Sequence, residues 1–203
     1  MDNIRLYLEY WHKNAKGKII KYRRYRSDSL LGNFFKFLYN QIGRASSFTS
    51  FSTQHEIYTS PATDNLKSIE GYDRSYIADI ARTITSTNRG IIVGSGTTPV
   101  TLEDFSLANP IPNGTGVGQL VYGTLTVFAI DQSLSNIWKY RIARTFTNQS
   151  TGDVTIAEVG LVANVYDADT LVGCLMARDV LPAPVTLAPN DATGFRYTIV
   201  VEV

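Results

Sequence analysis

The chain has 203 residues, 44% hydrophobic and 18% charged, which is enough to bury a core and excludes disorder as the overall state. One cysteine, Cys174, excludes a disulfide framework within the chain and a cysteine-rich zinc site, and two histidines, His12 and His55, leave little for metal or acid–base chemistry. The net charge of +1 conceals a division: residues 1–44 carry ten Lys/Arg against three Asp/Glu, 10 − 3 = +7, and the remainder carries 9 − 15 = −6.

No stretch reaches the roughly 18 consecutive apolar residues of a membrane span. Arg5, Glu9 and His12 interrupt what a secretory signal would keep apolar. Twelve tyrosines and nine phenylalanines favour strands over helices.

Residues 4–11 alternate, with Ile4, Leu6, Leu8 and Tyr10 on one side and Arg5, Tyr7, Glu9 and Trp11 on the other. Residues 18–26 are again rich in strand formers, and Asn14 to Gly17 supply a turn, so this stretch reads as a β-hairpin. Ser27 to Ser29 offer helix caps, and Leu30, Leu31, Phe34, Phe37, Leu38 and Ile42 follow at helical spacing before Gly43. The pattern predicts one amphipathic helix over 29–42. Hairpin and helix together make a basic element over 1–44. Residues 45–75 are Ser/Thr/Asn-rich and aperiodic, a long surface excursion with one short strand near 56–59; a further strand is expected over 76–86.

From Gly90 the pattern is strongly β. Strands are expected over 90–94, 120–130, 137–147, 155–165, 171–178 and 195–203, separated by turn residues. In 120–130 the even positions Leu120 to Ile130 form one face. In 137–147, Trp138, Tyr140, Ile142 and Phe146 are read as the apolar face, Trp138 in a core role, interleaved with Lys139, Arg141 and Arg144. Between Gly94 and Pro112 the prolines preclude a central strand, so the segment should cross the sheet surface with Leu102, Phe105 and Leu107 inserted. The echo of Pro99-Val-Thr-Leu102 in Pro184-Val-Thr-Leu187 reads as two similar sheet-edge crossings. Short strands without intervening helices indicate a mainly β fold, an antiparallel β-sandwich of jelly-roll-like or Ig-like type, forming one domain over 1–203.

The usual catalytic patterns fail. Gly94-Ser-Gly-Thr-Thr98 lacks the lysine and the helix of a phosphate loop, and Ser95 lacks the glycines of a nucleophile elbow. Cys174 sits in an apolar run, as an inert buried thiol would. Asp167-Ala-Asp169 reads as turn chemistry, and Glu103-Asp104 has too few oxygen ligands in order for calcium. No catalytic, cofactor or metal site is expected. The residues singled out are Lys13, Lys16, Lys18, Lys21, Arg23, Arg24 and Arg26, interleaved with Tyr22 and Tyr25. They suit a solvated hairpin face, a docking arm against an acidic protein, or, less favoured, nucleic acid. Acidic counterparts for an arm are Asp64, Glu70, Asp73, Asp79, Glu103 and Asp104.

Three blocks carry a resemblance. They are the hairpin with Ser29-Leu-Leu-Gly-Asn-Phe-Phe-Lys-Phe-Leu-Tyr39, then Gly90-Ile-Ile-Val-Gly-Ser-Gly-Thr-Thr-Pro-Val-Thr-Leu-Glu-Asp-Phe-Ser-Leu107 with Pro110-Ile111, and last Arg144-Thr-Phe-Thr-Asn148, Val154-Thr-Ile-Ala-Glu-Val-Gly-Leu161 and Ala177-Arg-Asp-Val-Leu181. In this order they resemble small β-rich structural proteins of tailed bacteriophages and viruses; residues 45–88 are unmatched. The resemblance implies a non-enzymatic virion component, capsid-, neck- or tail-associated, that forms homo-oligomers and contacts other virion proteins, with no cofactor and no membrane partner. The alternative is a host-attachment, carbohydrate-binding sandwich using Trp11, Trp138 and tyrosines.

Overall fold

The structure is a computed structural model that describes residues 4–27, 30, 34, 89–134, 136–167 and 170–202. Ten strands form among the described residues: β1 (Ile4–Lys13), β2 (Ile19–Ser27), β3 (Gly90–Gly94), β4 (Val121–Tyr122), β5 (Thr126–Val127), β6 (Asp131–Leu134), β7 (Ile137–Thr147), β8 (Val154–Asp167), β9 (Thr170–Leu187) and β10 (Ala192–Glu202). They build two antiparallel sheets. One has the order β2-β1-β10-β7-β4, with β5 and β6 also on β7, and the other is β3-β8-β9. The fold is mainly β. The helix expected over 29–42 lies outside the described residues except at Leu30, which bridges Ala177, and half-buried Phe34. The excursion over 45–75 and the strand over 76–86 also lie outside them.

Both sheets contribute to one buried cluster. Leu6, Leu8 and Tyr10 of β1, Ile142 and Phe146 of β7, and Phe195 and Tyr197 of β10 join Ile91 and Val93 of β3, Ile156, Val159 and Leu161 of β8 and Ala177 and Val185 of β9. The cause is the period of two: odd positions of β10 face inward and stack edge-on, Phe195 with Phe146 at 6.0 Å between ring centroids. The C-terminal strand is fully paired, to β1 on one side and β7 on the other, in the same molecule.

Five expectations are corrected. The strand over 120–130 is broken into β4 and β5, with β6 beyond it. The register on β7 slips by one residue at each break, from Tyr122↔Phe146 to Thr126↔Ala143 to Asp131↔Lys139. Each slip transfers the inward position to the other set of residues. Leu120 and Tyr122 are therefore buried but the inward residue after the break is Leu125, while Phe128 and Ile130 are exposed. Arg144 is in phase with Ile142 and Phe146, not with Arg141, and is buried. Trp138, at the outer end of β7, is 47% exposed and has no core role. Of the residues expected to insert from the crossing loop, Leu107 is buried and Phe105 half-buried, but Leu102 is 63% exposed. Last, the sequence echo has no structural counterpart, because Pro99 to Leu102 lie in that loop and Pro184 to Leu187 in β9.

Candidate assembly surface

The seven singled-out cations are all on the β1–β2 hairpin. Asn14 fixes its turn: the Asn14 side-chain oxygen accepts the amides of Lys16 (3.1 Å) and Lys18 (3.0 Å), and the Gly17 amide donates to the Asn14 carbonyl at 2.8 Å. Gly17 takes φ +76°, which a side chain would resist. The local sequence thus presents Lys16 and Lys18 at a fixed tip. Beyond it β2 runs along β1, with Trp11 opposite Tyr22, Glu9 opposite Arg24 and Tyr7 opposite Arg26. Among the described residues β2 is laddered to β1 alone.

Little charge is cancelled within the hairpin. Glu9 is buried and accepts hydrogen bonds from Tyr22 Oη, from Arg196 Nε (2.8 Å) and Nη2 (2.9 Å) and from Thr198 Oγ1. Arg24 only approaches it, at 4.0 Å, and lies over the Tyr7 ring. Burial by itself would raise the Glu9 carboxyl, but the bonds from Arg196 and Tyr22 and the Arg196 and Arg24 charges outweigh it and hold the group below its ordinary range. The acceptor that could have neutralised the arm is thus committed chiefly to Arg196 of β10. Lys21 sits over the Tyr10 ring at 5.7 Å, and Arg23 donates to the Tyr22 carbonyl. Lys13, Lys16, Lys18, Lys21 and Arg23 make no ion pair among the described residues. Ile19, Ile20 and Tyr22 are about half exposed beside them, at 53%, 54% and 49%.

Of the acidic counterparts, Asp64, Glu70, Asp73 and Asp79 fall outside the described residues. Glu103 is exposed, and Asp104 is engaged by Arg178 Nη1 at 2.7 Å. That contact belongs to a buried network the sequence reading did not detect. Arg178 Nε donates to Glu158 at 2.7 Å and Nη2 to the Thr98 carbonyl at 2.9 Å. The Glu158 carboxylate also accepts the amides of Gly96 (3.1 Å), Ala108 (3.1 Å) and Asn109 (2.7 Å). Both side chains are on the side of the β8–β9 pair away from the shared core, under the loop over 95–109. The network pins that loop, and Leu107 packs with Val162 and Leu175 beside it. Burial opposes charge on Arg178, but the bonds to Glu158 and Asp104 outweigh it and raise its pKa. For Asp104 burial acts upward, and the bonds from Arg178 and Thr101 carry it below the ordinary value.

Two further buried polar groups tie the sheets together. Arg144 donates to the carbonyls of Gly123 (2.9 Å), Arg89 (3.0 Å) and Ile91 (3.1 Å), joining β7 to the strand β3 of the other sheet. Asp179 on β9 accepts from Tyr197 Oη of β10 (2.7 Å) and Ser27 Oγ of β2 (3.0 Å). Asn148 closes the turn after β7, donating to the carbonyls of Leu187 and Gly152 at 2.8 Å each. The polar residues that carry the resemblance, Asp104, Arg144, Asn148, Glu158, Arg178 and Asp179, are therefore bracing groups. For Glu158, Arg178 and Asp179 the signal in the sequence was apolar context, because a charged residue inside a strand of Val, Ile and Leu must find a partner.

Among the described residues no three His, Cys, Asp or Glu side chains are grouped to hold a metal ion. No protein-family model matches the chain, and no curated protein or solved structure does.

Proposed function

We propose that the chain is a non-enzymatic structural component of a viral particle, a β-sandwich of jelly-roll-like or Ig-like type that assembles with copies of itself and other virion proteins through its basic hairpin. Two antiparallel sheets sharing one core support the sandwich reading. The observation that carries the function is the division of labour among charged groups. Asp104, Arg144, Glu158, Arg178 and Asp179 of the two later blocks are consumed in bracing the body, whereas five hairpin cations make no ion pair among the described residues, two of them, Lys16 and Lys18, at a turn that Asn14 fixes. Such an element suits a repeated contact with an acidic protein surface. Each exposed pair is worth only about 0–1 kcal/mol, so the contact gains its strength from several pairs and from repetition around a ring or lattice.

Reversing Arg23 and Arg24 to Glu should reduce incorporation into particles while the isolated chain stays folded, and raised salt should weaken the same step. Normal incorporation of that variant at low and high salt alike would refute the docking role. Electron cryomicroscopy of purified particles tests the virion assignment directly.

A second reading, a carbohydrate-binding attachment module, is favoured by one observation. The Trp11 indole lies against Gly194, where a side chain would collide with it, beside exposed Tyr22. A glycan array separates the two readings.

A further inference from the structure

Building on the hairpin as a docking element, we propose that β2 receives its partner by antiparallel strand addition, and that the partner is an extended segment of another protein, acidic in its first half and aliphatic in its second. β2 is laddered on one side only among the described residues, and every pairing described in its sheet is antiparallel. Its exposed side chains are ordered along the strand. Ile19, Ile20 and Tyr22 come first, then Arg23, Arg24 and Arg26, all exposed. An antiparallel partner starts opposite Arg26 and ends opposite Ile19, so charge matching puts its acidic residues first and its apolar residues last. Cations stand on both faces of β2, Arg23 on one and Arg24 on the other, so acids at the two adjacent partner positions opposite them are both matched, whichever face each side chain takes.

Charge also excludes the simplest alternative. Pairing β2 with β2 of a second copy about its charged half would set Lys21 against Arg26 and Arg23 against Arg24, and like charges directly opposite destabilise a sheet. A charged edge by itself repels indiscriminate pairing. A purely protective edge, however, has no use for two adjacent isoleucines, each more than half exposed. Repulsion of basic or neutral strands together with apolar contact area selects an acidic, aliphatic one.

The test uses the full chain and a synthetic peptide of four acidic residues followed by alternating valine and threonine. Titration should show binding, and peptide addition should protect alternate β2 amides from hydrogen exchange. Reversing the peptide sequence, or introducing Arg23→Glu with Arg24→Glu, should each weaken binding about tenfold. The same peptide N-methylated at alternate amides, which leaves the protein untouched, should not bind. Binding of the N-methylated or reversed peptide as tightly as the original would overturn the proposal, as would protection of the outward β2 amides in the free chain. Preferential capture of single-stranded DNA with steep salt dependence would overturn it in favour of nucleic acid. If no peptide binds while the charge reversal still blocks particle incorporation, strand addition falls and the docking role stands.

Discussion

Replacing Arg178 by Met removes the guanidinium that holds Glu158, Asp104 and the Thr98 carbonyl together. Arg178 is 2% exposed and Glu158 0%, so the loss leaves a carboxylate in a site without water. Breaking a buried pair in this way costs about 3–5 kcal/mol. The lower end, about 3 kcal/mol, applies because Glu158 keeps its bonds from the amides of Gly96, Ala108 and Asn109. Glu158→Leu is worse, since it strands the three amides and removes the main counter-charge of Arg178; about 5 kcal/mol is expected. Asp104→Asn should cost only about 1 kcal/mol, because the Asp104 side chain is 19% exposed and keeps the bonds from Thr101 in part. Urea denaturation reads the series without screening the charges, and the midpoints should shift in that order at constant slope. Equal costs for the three variants, or a Glu158→Leu protein more stable than Arg178→Met, would refute the network as the brace of the loop.

Acid should destabilise the protein at the groups whose pKa is depressed. Glu9 and Asp104 titrate below their unfolded values, so their contribution is complete above about pH 4–5 and is lost as pH falls through the folded values; stability measured from pH 7 to 2 should drop at the acid end, with a shallower drop in Glu9→Gln. Gly194→Val should cost about 1–3 kcal/mol because its side chain meets the Trp11 indole, and Trp11→Ala should relieve part of that cost in thermal melts of the double variant. Cys174 is fully buried and burial pushes its thiol up to about 12, so a thiol reagent at pH 8 should react only after denaturant is added, and rapid labelling of the native chain would contradict its place in the sheet.

The strands were legible where nothing interrupted the alternation. β1, β2, β3 and β7 fall where the pattern put them, and the turn at Asn14–Gly17 follows from its residues. The segment 120–134 was not legible, because a bulge leaves composition unchanged while reversing which residues face inward, and only the register on β7 reveals it. Arg144 was assigned to the wrong face since its charge outweighed its position in the period, and its partners are three backbone carbonyls that no motif announces. The Arg178–Glu158–Asp104 network joins residues 20 and 74 positions apart, a separation at which sequence pattern carries no pairing information. For the hairpin the sequence supplied the cations, but the commitment of Glu9 to Arg196, 187 positions away, became visible only with β10 in place.

The pairing of β1 with β10 has a kinetic consequence. Its register joins Ile4 to Val201 and Lys13 to Ala192, contacts separated by 201 − 4 = 197 and 192 − 13 = 179 positions. Closing so large a loop must precede any reward from the ladder, which places this chain among slow folders. Before β10 pairs with it, β1 has Leu6, Leu8 and Tyr10 uncovered and one side unpaired. Refolding yield should therefore depend on protein concentration far more steeply than equilibrium stability does.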